Sequence, residues 1–179
     1  MIKVFNTKLK GVKLIKIRPF KDFRGEYVEL YNEKLYKKVG IKIKFVEDDI
    51  SVSKKNVLRG IHGYYEKNWR LVSCLYGKLY LVIVNCKENS KDFGKWQAFK
   101  LSDKKREQIL VPPGYGVAHL VLSDWAIFHY KQSEYYDPKR QFTYKWDDPR
   151  FKIKWPIKNP ILSERDRLGH YVSFDKIKL

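Results

Sequence analysis

Cysteine is scarce: Cys74 and Cys86 are the only two, each inside an apolar segment. That argues against a disulfide scaffold or a cysteine-based zinc site and fits a reducing, cytoplasmic setting. Histidine is nearly as rare, at positions 62, 119, 129 and 170. A small β-barrel that holds a metal typically offers two histidines one residue apart plus a carboxylate and a further histidine. Here Tyr64 stands where the second would be, so no metal is expected. A Walker A loop and a Gly-rich dinucleotide fingerprint are both missing, which leaves ATP and NAD sites unsupported and no cofactor expected. Apolar runs such as Leu79 to Val84 are far too short to cross a bilayer, and Met1 to Asn6 contains no continuous apolar signal region. No repeat, low-complexity linker or compositional break divides the chain.

What is abundant is aromatic surface and positive charge. The 179 residues include 5 Trp, 13 Tyr and 10 Phe, enough apolar area to exclude a disordered chain. The 38 basic residues outnumber the 20 acidic ones by 18, but they are scattered, and the longest basic run is Lys104-Lys105-Arg106. Scattered lysine describes a solvated surface better than a nucleic-acid footprint, and it would also favour a diphosphate ligand.

Helical periodicity is confined to about Asn32 to Val39, stopped by Gly40. Short runs rich in Val, Ile, Tyr and Phe fill the rest: Val12 to Ile17, Tyr27 to Tyr31, Phe45 to Val52, Val57 to Ile61, Lys95 to Leu101 and Gln108 to Val111. Trp69 to Tyr76 and Leu79 to Cys86 read as a hairpin turning at Gly77-Lys78. Ala118 to Leu122 and Ala126 to Gln132 read as a second, turning at Ser123-Asp124. The fold class is therefore all-β, an antiparallel sandwich or jelly roll with a few short helices. One domain is expected over 1–179, with a core over about 12–135 and a Pro- and aromatic-rich segment, 136–179, wrapping back over it.

Four groupings could carry chemistry. His62 follows Arg59-Gly60 at the end of an apolar strand, bringing an imidazole and an anion-binding guanidinium together. His119 lies just beyond the rigid turn Pro112-Pro113-Gly114-Tyr115-Gly116, and Tyr130 lies in a strand where its neighbour His129 must face the other way. Asp22-Phe23-Arg24-Gly25 is a turn with an exposed guanidinium. Ser163-Glu164-Arg165-Asp166 is either a helix start capped by Ser163 or the source of a carboxylate that orients a catalytic imidazole. For each residue alone, a structural role is the plainer reading.

Taken together, these residues resemble the sugar-nucleotide 3,5-epimerase family, whose type member acts on dTDP-4-dehydro-6-deoxyglucose in rhamnose synthesis. The resemblance runs over nearly the whole chain. It includes Asp22 to Gly25, Phe45 to Asp48, Leu58-Arg59-Gly60-Ile61-His62, Phe93 to Trp96, Pro112 to Gly114, Leu120 to Asp124, Phe128 to Lys131, Trp155-Pro156 and Ile161 to Asp166. It implies a metal-free jelly roll of the cupin type, usually a homodimer, acting on a nucleotide sugar and not on nucleic acid or membrane. It further implies His62 as general base with Asp166 as its partner, and Tyr130 as general acid. Arg59 and Arg24 become diphosphate ligands, with Arg24 contributed by the neighbouring subunit. Glu29 becomes a nucleotide contact, Glu47 stands where the family has a substrate-binding Gln, and Arg70 where it has a substrate-binding Lys.

The departures cluster around the expected pocket. The family's loop histidine is replaced by Val117, with His119 two positions on; Gly63-Tyr64-Tyr65 follows His62; Glu47 and Asp49 replace amides. This variant pattern resembles a branch acting on GDP-4-keto-6-deoxy-heptoses for capsular polysaccharide, so a GDP-linked heptose epimerised at C3, or at C3 and C5, is the expected substrate. Two alternatives stay open: the dTDP-linked epimerase of rhamnose synthesis, and a non-catalytic jelly roll that binds nucleotide or nucleic acid.

Overall fold

In the computed structural model, residues 2–169 are described, so His170 lies outside them. Two facing antiparallel sheets make up the body. The six-stranded sheet has the order β1 (Ile2–Asn6), β2 (Lys13–Ile17), β10 (Glu107–Val111), β7 (Arg70–Tyr76), β12 (Trp125–Gln132), β5 (Glu47–Lys54). The five-stranded sheet has the order β13 (Gln141–Thr143), β6 (Leu58–Tyr64), β11 (Tyr115–Val121), β8 (Lys78–Asn85), β9 (Trp96–Ser102). A small hairpin, β3 (Phe20–Asp22) and β4 (Gly25–Tyr27), stands apart. This is the expected cupin-type jelly roll. No helix among the described residues is long and apolar enough to cross a membrane.

Both expected hairpins are corrected. β7 and β8 belong to different sheets, as do β11 and β12, so neither couple pairs. Gly77, at φ +78°, carries the chain from one sheet to the other, and Lys78 N there donates to Ser123 Oγ at 2.8 Å. Gly-Lys between two apolar runs signals a reversal whichever strand receives the hydrogen bonds. Sandwich topology, not the turn, decides the partners. The expected strand Tyr27 to Tyr31 does not form: β4 ends at Tyr27 and residues 28–31 carry no strand, and β1 has no counterpart among the expected strands.

Apolar side chains fill the space between the sheets, including Val72, Leu81, Ile83, Ile109 and Val121. Beyond β12, Phe142, Phe151 and Trp155 pack on Ile61, Val82 and Val84 at the outer face of the five-stranded sheet. The expected short helix is α1 (Glu33–Lys38), capped by Asn32, and it lays Tyr36 and Leu35 over Ile15, Leu71 and Leu110 on the other outer face.

One irregularity positions the functional residues. Along β6 and β11, His62 pairs with Val117 and Arg59 with His119, so three steps on β6 match two on β11. The extra residue is a bulge at Gly60, φ +114°. In an unbroken strand residues 59 and 62 would point to opposite faces; the bulge turns both toward the same cavity.

Candidate active site

Between the sheets lies a cavity of about 320 Å³. β6 supplies Arg59, His62 and Tyr64; β7 supplies Arg70; β11 supplies Val117 and His119; β12 supplies Phe128, Tyr130 and Gln132; β5 supplies Ser51. Arg165 and Asp166 close one side from α2 (Glu164–Leu168). His62 and Tyr130 thus enter one cavity from opposing sheets.

Both readings of the C-terminal motif hold at once. Ser163 caps α2 and Asp166 occupies its third position, with the Asp166 amide donating to Ser163 Oγ at 3.2 Å. The same Asp166 carboxylate accepts from Ser163 Oγ at 2.7 Å, from the Gly60 amide at 3.1 Å and from His62 Nε2 at 2.6 Å. Burial opposes its charge, but the hydrogen bonds and charge of His62, with those of Ser163 and Gly60, outweigh this and hold it below the ordinary carboxylate value. Because an ionised Asp166 accepts at Nε2, the neutral imidazole keeps its lone pair on Nδ1. Burial lowers the His62 pKa, Asp166 pulls it back up, and Arg165 and Arg70 lower it further; the net direction is downward. His62 is therefore a neutral imidazole at physiological pH, with Nδ1 open to accept a proton.

Across the cavity, burial and the nearby Asp49 push the Tyr130 phenol up to about 12, against the pull of Arg70. The phenol keeps its proton and can donate it. Arg70 is buried with no carboxylate on its guanidinium: Nη1 donates to His62 O at 3.0 Å, Nη2 to Tyr115 O at 2.7 Å, and Nε has no partner. Desolvation brings its pKa down to about 10, still a cation at neutral pH. A buried positive charge held only by carbonyl oxygens is a standing attraction for a developing oxyanion. Arg59, at the exposed edge, is steadied by Ser53 Oγ at 3.0 Å.

The structure gathers His62, Tyr130, Asp166, Arg59, Arg70 and His119 around one cavity. It does not bring Arg24 or Glu29 there. Arg24 sits on the exposed β3–β4 hairpin, paired with Asp22 at 2.6 Å, and Glu29 accepts from Asn32 Nδ2 at 2.9 Å beside α1. Glu47 stands one step behind the wall, accepting from Gln132 Nε2 and from the Tyr136 amide. Sequence reasoning missed Ser51, Gln132, Gln141 and Arg165 as cavity residues. Alternation would have found the first two, since Gln132 shares a face with Tyr130, and Ser51 shares one with Glu47 and Asp49.

Comparison with known proteins shows what the chain is similar to. The family model described as dTDP-4-dehydrorhamnose 3,5-epimerase matches residues 6–173. The chain is 36% identical to the dTDP-4-dehydrorhamnose 3,5-epimerase of Methanothermobacter thermautotrophicus, over 90% of this chain and 89% of the relative. It resembles the Bacillus anthracis dTDP-4-dehydrorhamnose 3,5-epimerase structure with TDP and pyrophosphate bound (TM-score 0.90, 32% identity, 96% of this chain and 100% of that one). It is also similar to the Legionella pneumophila dTDP-6-deoxy-D-glucose-3,5-epimerase in complex with dTDP-4-keto-L-rhamnose (TM-score 0.87, 34% identity, 93% and 90% covered).

Proposed function

The chain belongs to the dTDP-4-dehydrorhamnose 3,5-epimerase family, and from that premise we propose that it inverts C3 and C5 of dTDP-4-dehydro-6-deoxyglucose. The protein is an isomerase acting on a nucleotide-linked 4-keto-6-deoxy sugar. The GDP-linked heptose expected from the variant residues gives way to its alternative, because the relatives above are named for dTDP sugars.

The observation that carries the mechanism is the entry of His62 and Tyr130 from opposing sheets into one cavity. A C–H beside a ketone loses its proton readily only when the electron pair can move onto the carbonyl oxygen. His62 Nδ1 takes the C3 proton; the pair forms the C3–C4 double bond of an enolate, and the negative charge on the C4 oxygen is met by the Arg70 cation. Tyr130 returns a proton to C3 from the other face as the pair falls back, which inverts the carbon. The imidazolium and phenolate then reset through solvent, and the same exchange at C5 completes the reaction. Arg59, at the cavity edge, holds the diphosphate.

Comparing kcat/KM for dTDP-4-dehydro-6-deoxyglucose and GDP-6-deoxy-4-keto-lyxo-heptose tests the substrate. The proposal expects at least about a tenfold preference for the dTDP sugar. A preference of that size for the heptose overturns it, and turnover of neither brings back the non-catalytic reading.

A further inference from the structure

Besides Nε of Arg70, which the enolate oxygen would face, two buried polar atoms of the cavity wall have no hydrogen-bond partner among the described residues and no role in the reaction above: His119 Nε2 and Ser51 Oγ. His119 is only 4% exposed, and its ring stacks on Phe128 with centroids 4.1 Å apart and planes 18° apart, which fixes the ring plane. Ser51 is the cross-strand neighbour of the same Phe128. Both residues therefore neighbour Phe128, from opposing sheets. Buried polar groups are ordinarily satisfied, so a pair left open on a substrate cavity points to a polar group of the ligand.

The chemistry of the pair narrows that group. Burial, with the positive charge of Arg59 next, presses the His119 pKa down to about 3, so the ring is neutral. A neutral imidazole and a hydroxyl can each donate and accept, which suits an alcohol better than a phosphate or carboxylate. Location narrows it further. His119 is the register partner of Arg59, and the next inward pair on these strands is Val117 with His62. His119 thus lies level with the guanidinium assigned to the diphosphate, on the neighbouring strand, and close enough to the base assigned to C3 for the two imidazoles to interact electrostatically. In a glycosyl nucleotide the diphosphate is on C1, and the carbon between C1 and C3 is C2.

We propose that His119, with Ser51, binds the C2 hydroxyl of the sugar and so selects 2-hydroxy over 2-deoxy 4-keto substrates. This rests on the epimerase reading above. The site compensates for the family's loop histidine, replaced here by Val117, with a group two residues on that lines the same cavity.

The test is a cycle of two enzymes and two substrates: wild type and His119→Phe, each with dTDP-4-keto-6-deoxyglucose and its 2-deoxy analogue. Phenylalanine keeps the ring volume and the stack on Phe128, so the thermal midpoint is expected to hold. Wild type should lose about tenfold or more in kcat/KM on the 2-deoxy sugar. His119→Phe should lose a similar factor on the 2-hydroxy sugar, chiefly through KM, and show little further loss on the analogue. His119→Gln, which retains a donor and an acceptor, should recover part of that loss, and Ser51→Ala should show a smaller loss of the same kind. Equal discrimination between the sugars by wild type and His119→Phe overturns the inference while leaving the epimerase intact. Turnover of neither sugar by wild type overturns the epimerase reading, and the inference with it.

Discussion

His62 and Asp166 lie 104 positions apart, and their side chains meet at 2.6 Å. A short parallel bridge between Val57 and Ile161 brings the C-terminal segment alongside β6, and the Ser163 cap then starts a helix whose third residue points at the imidazole. One carboxylate thereby braces the start of a helix, ties down the Gly60 bulge and orients the base.

Asp166→Asn should separate these duties. The amide can still accept from Gly60 or Ser163 but carries no charge to hold the Nε2 proton of His62. We expect kcat to fall about 100-fold or more, with the affinity for dTDP within a few-fold of wild type. Steady-state kinetics together with calorimetric titration of dTDP check this; an unchanged kcat would remove Asp166 from the mechanism.

The pH profile follows from the same surroundings. Because His62 is held below its ordinary 6.5 and acts as the neutral base, the acid limb of kcat/KM should lie below pH 6.5. Asp166→Asn removes the group that raises that pKa, so the residual activity should persist to still lower pH. Tyr130, at about 12, stays protonated through the neutral range, and Arg70 keeps its charge there, so no alkaline limb is expected between pH 7 and about 10. Stability has its own trend. His119 stays neutral in the fold down to about 3, whereas an unfolded histidine takes a proton near 6.5. The unfolded chain therefore binds more protons between those values, and stability should fall as pH drops from 6.5 toward 3. Denaturant titrations across that range measure it, and a flat stability would contradict the burial of a neutral His119.

Gly60→Ala strikes the bulge. A β-carbon there would lie 2.5 Å from the Val117 carbonyl oxygen and 2.7 Å from Ala118, at a φ of +114° that other residues resist. A destabilisation of about 2–4 kcal/mol is expected, with a loss of activity larger than unfolding explains. Chemical denaturation and the kcat of the folded fraction, measured together, test both parts.

Arg24 offers a test of assembly. Its hairpin holds Phe23 98% exposed, with Phe20 and Tyr27 also open to solvent, and does not line the cavity between the sheets of its own chain. If the hairpin completes a second copy's site, sedimentation should give twice the 21.5 kDa chain mass. Arg24→Ala should then raise KM about tenfold with little change in kcat. A monomer with wild-type KM in the variant would exclude the arrangement.

Much of this was legible in the sequence because it is local. The Gly40 stop after the first helix, the cap at Ser163, the strand alternation and the Arg59 to His62 cluster all depend on neighbours a few residues away. Strand partnership was not. Gly77-Lys78 and Ser123-Asp124 turn the chain in the same way for a hairpin or a crossing between sheets, and periodicity reports which face is buried, not who lies alongside. The joint facing of Arg59 and His62 was likewise hidden, since it depends on a bulge that Gly60 permits but does not announce. Arg24 and Glu29 were placed by resemblance alone, and a single chain leaves both outside the cavity.

The most direct test of the two-sided mechanism is proton NMR in deuterated water with dTDP-4-keto-6-deoxyglucose and three proteins. Wild type should erase the C3 and C5 proton signals and yield the inverted sugar. Tyr130→Phe should still exchange the C3 proton while inversion falls about 100-fold or more, and His62→Asn should do neither while retaining dTDP. Exchange by His62→Asn at the wild-type rate, or full inversion by Tyr130→Phe, would contradict a base and an acid working from opposing sheets.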